Sequence, residues 1–131
     1  TGVHLGKYDF PISEARAVLG PGYVIGATAN SFRDAMRVAE LEIDYIGFGP
    51  IYPSNSKDNP SSLQGLEVLR KVCAATQVPV VAISGITPDR VHPVLEAGAY
   101  GVAVMSAITT ASDPQQATAT FRSAIDGFFR D

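Results

Sequence analysis

The sequence contains one cysteine, Cys73, and no tryptophan. A single cysteine cannot form a disulfide within the chain or build a metal site from cysteines alone. Neither a disulfide-stapled secreted scaffold nor a cysteine-only zinc site is therefore expected. Because a chain without disulfides suits a reducing compartment, we expect a cytoplasmic protein.

Basic charge and long apolar runs are also scarce. Ten Lys and Arg residues stand against thirteen Asp and Glu residues, which gives a net charge of −3. Because no basic cluster could follow a phosphate backbone, we expect no nucleic-acid partner. Apolar stretches such as 78–83 are interrupted by Pro or Gly. They are far shorter than the about 20 residues that cross a bilayer, so we expect no membrane span.

The apolar content is sufficient for a folded core. Apolar residues make up 46% and charged residues 18% of the 131 residues, which is typical of globular proteins. This length suits one domain, and we expect 1–131 to form it. The first residue is Thr1 and strand-like residues begin at Val3. We therefore expect a portion of a longer chain.

Five short, nearly continuous apolar runs predict buried strands at 3–6, 24–28, 44–49, 80–84 and 101–106. Helical spacing lies between them, most clearly in 31–41, where apolar residues recur at i, i+3, i+4 and i+7. Alternating strands and helices predict an α/β fold, either an open doubly wound sheet or a (β/α)₈ barrel. Periodicity does not choose between the two.

Three positions have the residue types that begin helices. Ser31 is suited to cap the helix that follows it, and Thr87 and Asp113 each precede a proline. We expect all three to be helix caps.

Glycines and hydroxyl residues gather where the last two predicted strands end. Gly85 would let a ligand approach the backbone, and the N–H groups of the following helix start suit a phosphate. Ser106 adds a hydroxyl after the next strand. We predict a phosphate site, because barrels often bind phosphate in the loops after their last two strands. The alternative is a turn glycine beside a helix cap.

The loop at 49–58 is a second candidate anion site. Ser54 and Ser56 supply hydroxyls, and Lys57 supplies an ammonium group. Together they could donate several hydrogen bonds to an oxyanion. The alternative is a solvated polar loop whose lysine aids solubility.

Three other residues have less specific signals. Asp9 follows the first predicted strand and could help to hold Mg²⁺, although a loop aspartate is the alternative. We interpret His4 as a hydrogen-bonded interior histidine rather than a base. We interpret Cys73 as a packing residue on an apolar helix face.

The strings VHLG, GFGPIYPSNSK, QGLEVLR, VPVVAISGIT and AGAYGVAVMSAI together resemble thiamine phosphate synthases. The most specific of them is the GPIYP loop followed by hydroxyl, any residue, hydroxyl and Lys. This family folds as a (β/α)₈ barrel, and the five units here resemble its strands four to eight. The resemblance therefore implies a partial barrel.

The same resemblance implies a transferase of thiamine biosynthesis. The family joins 4-amino-2-methyl-5-hydroxymethylpyrimidine diphosphate to thiazole phosphate and releases pyrophosphate, with Mg²⁺ as cofactor. The pyrimidine methyl–diphosphate bond breaks first, and the thiazole nitrogen captures the resulting cation. The family's Gln-x-Arg-x-Lys strand and Asn-Asp pair would precede Thr1, so we expect this chain alone to be inactive.

The resemblance also assigns roles to individual residues. Asp9 matches the metal-ligand aspartate, and Thr28 matches a hydroxyl near the leaving group. Residues matching the catalytic and binding groups around the diphosphate are Ser54, Ser56 and Lys57. Gly85 and Ser106 match the thiazole phosphate site, and Ser84 lies beside it among the expected substrate-binding residues.

Three residues depart from the family pattern. Lys7 stands where the family usually has Gln, Asn30 where it usually has His, and Ser84 where it usually has Gly. Related thiazole tautomerases use a histidine at the position of Asn30, which argues against that activity.

Two other interpretations stay open beside the synthase. One is a tautomerase-like relative, and the other is a non-catalytic phosphate-binding half-barrel completed by a partner chain. Unpaired strand edges would favour association, including formation of a homo-oligomer.

Overall fold

The computed structural model describes residues 1–54 and 62–130. Five strands form one sheet in which every neighbouring pair is parallel, and their spatial order is their order in the chain. The strands are β1 (Gly2–Leu5), β2 (Val24–Ala29), β3 (Tyr45–Phe48), β4 (Val80–Ile83) and β5 (Gly101–Ala103). The five predicted strands are confirmed, and the sheet is open, with β1 and β5 at its edges.

Helices follow each strand. They are α1 (Ile12–Leu19), α2 (Phe32–Ala39), α3 (Gly65–Ala75), α4 (Val91–Glu96, preceded by a 3₁₀ turn at Pro88–Arg90), α5 (Ser106–Thr109) and α6 (Pro114–Arg130). The last predicted strand was too long, because Ser106 begins a helix. Its carbonyl oxygen accepts a helical hydrogen bond from the Thr110 N–H at 3.0 Å. No helix of the described ranges combines the length and apolarity needed to cross a bilayer.

Two of the three predicted side-chain caps are confirmed. Ser31 Oγ accepts from the Asp34 N–H at 3.0 Å, and Asp113 Oδ1 accepts from the Gln116 N–H at 3.0 Å. Thr87 occupies the cap position without a side-chain cap bond. Its hydroxyl instead donates to Asp89 Oδ1 at 2.6 Å, because that carboxylate is a nearby and stronger acceptor.

Alternation along the strands gives the sheet two different faces. One face packs on the helices and contains the core, which includes Ile25, Ile46, Phe48, Val80 and Ala82, all fully or almost fully buried. The other face includes Thr28 beside Gly47 and Gly26 beside Tyr45. This second face carries the hydroxyl groups of Thr28 and Tyr45.

Arg16 ties together the amino ends of the strands. Its guanidinium donates to the carbonyls of Gly20, Tyr23 and Glu42 over 2.7–3.1 Å and to Asp44 Oδ2 at 2.9 Å. The Ile25 N–H also donates to Asp44 Oδ2, and this bond, with Arg16, holds the pKa of the Asp44 carboxyl below its usual value. The Arg16 side chain is only 13% exposed, so it is a structural cation.

Candidate functional site

His4 joins two hydroxyl groups on the open face of the sheet. Its Nε2 lies 2.8 Å from Thr28 Oγ1, and its Nδ1 lies 2.9 Å from the Tyr45 hydroxyl. The residues belong to β1, β2 and β3, so the parallel register brings together positions distant in sequence. The predicted hydrogen-bonded histidine is confirmed, but His4 is exposed in this chain rather than interior.

Glycines make the space that these rings occupy. A Cβ at Gly26 would collide with the Tyr45 ring, and one at Gly47 would lie 2.9 Å from His4 Cε1. The imidazole and phenol rings stack with centroids 5.5 Å apart and planes 29° apart. Desolvation lowers the pKa of His4, although the charge of Asp9 opposes this change, so the ring is neutral near pH 7.

The loop after β3 pairs with the backbone after β4. The Ile51 and Tyr52 N–H groups donate to the carbonyls of Ile83 and Ser84, both at 3.1 Å. The Ser84 hydroxyl donates to the Tyr52 carbonyl at 3.0 Å. This pairing fixes the position of the GPIYP segment relative to Gly85.

Gly85 lies in close contact with that segment. A Cβ there would collide with the Pro53 carbonyl oxygen and lie 2.7 Å from Tyr52 Cβ, and its φ of 67° favours glycine. Arg90 donates to the Gly85 carbonyl at 2.7 Å, and its guanidinium lies 4.4 Å from the Tyr52 ring centroid. The two predicted anion-binding segments thus meet one residue before Ser54.

The remaining predicted anion-binding residues are placed as follows. Ser54 lies at the end of the described part of its loop, while Ser56 and Lys57 lie outside the described residues. Ser106 begins α5, shortly after β5. Because β5 pairs with β4, and Gly85 follows β4, Ser106 and Gly85 come after neighbouring strands. Their predicted ligand contacts stay predictions.

Asp9 forms a local turn after β1. Its Oδ2 accepts from the Gly6 N–H at 2.7 Å. Within 1–54 and 62–130, no three acidic, His or Cys residues come close enough together to hold a metal ion. Asp9 alone therefore offers at most one carboxylate to an ion such as Mg²⁺, which is often held by one or two carboxylates with other oxygen ligands.

The two departures near β1 and β2 have defined partners. Lys7 Nζ lies 3.3 Å from Asp34 Oδ2, in an ion pair whose lysine is 41% exposed. Asn30 Nδ2 donates to the Gly49 carbonyl at 2.8 Å and so connects the ends of β2 and β3. At this position Asn30 therefore braces the β3 loop.

Comparison with known proteins identifies the group to which this arrangement belongs. Residues 1–108 match the family model described as thiamine monophosphate synthase. A thiamine-phosphate synthase of Salinibacter ruber is 57% identical over 130 residues, which cover 99% of this chain and 57% of that protein. The chain belongs to the thiamine monophosphate synthase family.

Solved structures agree with this membership. Thiamine phosphate pyrophosphorylase from Pyrococcus furiosus matches with a TM-score of 0.88 at 36% identity, covering 97% of this chain and 60% of that one. Orotidine 5'-phosphate decarboxylase from Pyrococcus horikoshii matches with a TM-score of 0.67 at 15% identity, a likeness of fold alone. The structural neighbours are TIM-barrel-like, whereas the sheet described here is not closed.

The chain spans 57% of the length of the Salinibacter ruber protein and 60% of the Pyrococcus furiosus chain. Within this span, sequence reasoning missed Tyr45 and Arg90 as members of the site, and it included Tyr52 only as part of the loop at 49–58. Strand alternation gave a signal for Tyr45, because it places residue 45 on the face opposite the buried Ile46 and Phe48. Nothing local indicated that Arg90 would reach Gly85.

Proposed function

We propose that the polypeptide containing this chain is a thiamine phosphate synthase, a transferase that joins 4-amino-2-methyl-5-hydroxymethylpyrimidine diphosphate to thiazole phosphate and releases pyrophosphate. The observation that carries this proposal is the contact of Gly85 with Tyr52 and Pro53. It puts the segment leading to Ser54 beside the loop after β4. Two substrates, each carrying an anionic group, need two neighbouring anion sites.

The diphosphate binds at the loop after β3. Ser54 and Ser56 donate hydroxyl hydrogen bonds, Lys57 places a positive charge near the departing oxygens, and Thr28 supplies a further hydroxyl from the end of β2. These groups act when the methyl–diphosphate bond breaks, because negative charge then accumulates on the leaving group. Holding the two rings in line favours capture of the cation by the thiazole nitrogen.

The thiazole phosphate binds at the loops after β4 and β5. Tyr52 and Pro53 occupy the space where a Gly85 side chain would lie, and the Gly85 carbonyl accepts from Arg90. The group that Gly85 offers to a phosphate is therefore its N–H, which has no hydrogen-bond partner among the residues that the structure describes. Ser84 and Ser106 flank this position at the ends of neighbouring strands. The Ser84 hydroxyl is directed to Tyr52, so this residue contributes mainly by holding the loop.

Mg²⁺ is the cofactor of the proposed reaction. Asp9 would supply a carboxylate ligand to this ion, which would offset part of the diphosphate charge when bound. The substrates are small molecules, and the five strand and helix units correspond to the last five of a (β/α)₈ barrel. The Asn30 amide in place of a histidine disfavours the tautomerase alternative.

Lys57→Ala in the complete polypeptide tests the diphosphate assignment. We expect turnover to fall by roughly 10²-fold or more, because a cation that stabilises the leaving group is lost. Thiamine phosphate formed from both precursors is the readout. Lys71→Ala is the matched control, since Lys71 is an exposed lysine on α3 and should leave turnover unchanged.

Two results would contradict these assignments. Equal turnover in Lys57→Ala and the control would remove Lys57 from the mechanism. Absence of thiamine phosphate with the complete polypeptide and both precursors would reject the synthase. A defined dimer of the 131-residue chain that binds phosphate would then favour the non-catalytic half-barrel.

A further inference from the structure

The His4 ring lies between the hydroxyls of Tyr45 and Thr28, and these two hydroxyls cannot both donate to the ring or both accept from it. A neutral imidazole has one nitrogen that donates and one that accepts. Because Nδ1 contacts the Tyr45 hydroxyl and Nε2 contacts the Thr28 hydroxyl, one hydroxyl donates to the ring and the other accepts from it. The tautomer of His4 therefore decides where the Thr28 proton points.

The two tautomers have different consequences for a ligand. If Nδ1 carries the proton, Thr28 must donate to Nε2, and only its oxygen lone pairs remain. If Nε2 carries the proton, Tyr45 donates to Nδ1, Thr28 accepts from Nε2, and the Thr28 proton is available. A phenol is more acidic than an aliphatic alcohol and is the better donor, which favours the second arrangement.

We propose that Tyr45 is a positioning residue: its hydroxyl donates to Nδ1 of His4 and fixes the Nε2–H tautomer, so that Thr28 can donate its own proton to an anionic oxygen of a bound ligand. This inference deepens the proposed function and rests on it, because there Thr28 lies near the diphosphate. The close fit of the two rings over Gly26 and Gly47 keeps the three polar groups in register.

The packing leaves little freedom to reorganise. The Tyr45 ring covers Gly26, the β2 residue paired with it in the sheet, and His4 covers Gly47 on β3. Each ring is therefore confined between a strand backbone and the other ring. Rotation of the His4 ring would break the 2.8 Å and 2.9 Å contacts together.

The first test is the tautomer itself, measured by ¹⁵N NMR of the ring nitrogens of the 131-residue chain at pH 7.5. The chain has two histidines, and His92 is an internal reference. Its Nε2 lies 2.9 Å from the Ala124 carbonyl, which can only accept, so His92 has a proton on Nε2. We expect His4 to show the same Nε2–H pattern, and an Nδ1–H pattern at His4 would overturn the proposal.

The second test removes the hydroxyl and keeps the ring. In Tyr45→Phe, Nδ1 of His4 loses its donor, so we expect the Nε2–H population of His4 to fall while His92 is unchanged. Tyr100→Phe is the matched control, because Tyr100 is 73% exposed and distant from His4 in the sheet order. An unchanged His4 pattern in Tyr45→Phe would contradict the role of Tyr45, and the wild-type spectrum decides the tautomer even if this variant does not fold.

The third test measures the effect on an anion, with inorganic pyrophosphate as the probe and the complete polypeptide as the protein. We expect Tyr45→Phe to weaken pyrophosphate binding roughly tenfold, about the effect of one hydrogen bond to a charged group. In a Thr28→Val background the same change should have no further effect, because the proton that it releases is absent. Additive losses would overturn the proposal.

These outcomes separate the inference from the proposed function. An Nδ1–H tautomer in a polypeptide that makes thiamine phosphate would reject the inference alone. The Nε2–H tautomer in a polypeptide that makes none would reject the synthase and leave the orientation of Thr28 established.

Discussion

The two ends of the sheet use their polar groups in opposite ways. At the amino end, Arg16 gives its donors to three carbonyls and to Asp44, and its side chain is 13% exposed. At the carboxyl end, backbone pairs join the loops after β3 and β4. There Lys7 is 41% exposed, and Gly85 keeps its N–H free of partners among the described residues.

We infer from this difference that the polar groups at the amino end stabilise the fold, whereas the carboxyl end is better suited to bind a ligand. An open groove lies beside Arg16, lined also by Ser13, Pro21 and Leu41, yet the guanidinium is already committed to protein acceptors. A ligand anion there would have to compete with these bonds. At the carboxyl end the Gly85 N–H needs no such exchange with a partner in the described residues, as expected where barrel loops carry function.

Replacement of the amino-end cation should have the largest effect on stability. Arg16→Ala removes the donor to three carbonyls and one of the two donors to Asp44 Oδ2, and at about 1 kcal/mol for each hydrogen bond we expect a loss of about 4 kcal/mol in the free energy of unfolding. Urea denaturation measures this loss. Arg122→Ala is the matched control: Arg122 forms an exposed i,i+4 pair with Asp126 on α6, which should contribute about 0.5 kcal/mol or less. Equal losses would contradict the structural role of Arg16.

A methyl group at Gly85 should have the next largest effect. Gly85→Ala combines a left-handed backbone with a collision against Tyr52 and Pro53, and we expect a loss of about 3 kcal/mol together with loss of phosphate binding. Gly20→Ala is the control. Its φ of 86° and ψ of 179° also form a backbone conformation that favours glycine, but a Cβ there meets nothing within 4 Å, so a smaller loss of about 2 kcal/mol is expected.

Thermal unfolding and phosphate titration of both variants measure the difference. If Gly85→Ala and Gly20→Ala lost equal stability, the contact between the two loops would not constrain Gly85. If Gly85→Ala bound phosphate as the wild type does, the proposed site after β4 would be wrong.

Local sequence signals were sufficient for the sheet and for some helix starts. Apolar runs predicted the five strands, and a serine at position 31 followed by a helical pattern predicted its cap, since both depend on nearby residues. Register-dependent features could not be predicted in the same way. Tyr45 meets His4 only because β1, β2 and β3 pair with one particular offset.

Other features could not be predicted because neighbouring groups compete for the same hydrogen bond or because a distant element supplies the partner. Thr87 was predicted as a cap, but Asp89 takes its hydroxyl proton. In the sequence Arg16 resembles an ordinary surface arginine. Its hydrogen bonds to Tyr23, Glu42 and Asp44 exist only because the fold brings α1 close to the starts of the strands. The roles of Ser54, Ser56 and Lys57 depend on a bound anion, and they stay predictions.

The smallest predicted effect concerns Ser84, a residue with a φ of 90° where the family usually has glycine. Ser84→Gly removes the strain of about 1 kcal/mol but also a hydroxyl bond to Tyr52 of similar strength, so stability should stay within about 0.5 kcal/mol of wild type. Ser84→Ala keeps the strain and loses the bond, and should cost about 1 kcal/mol.

Paired unfolding curves of the two variants distinguish strain from hydrogen bonding at this position. A clear gap between alanine and glycine measures the strain of a backbone conformation that glycine adopts freely, and the gap between wild type and alanine measures how far the serine hydroxyl compensates for it. Equal stabilities would mean that the φ of residue 84 carries no cost. If the hydroxyl does compensate, serine replaces the family's glycine at position 84 by exchanging backbone strain for a hydrogen bond that holds the loop after β3. The proposed phosphate donor, the Gly85 N–H, is then left unchanged.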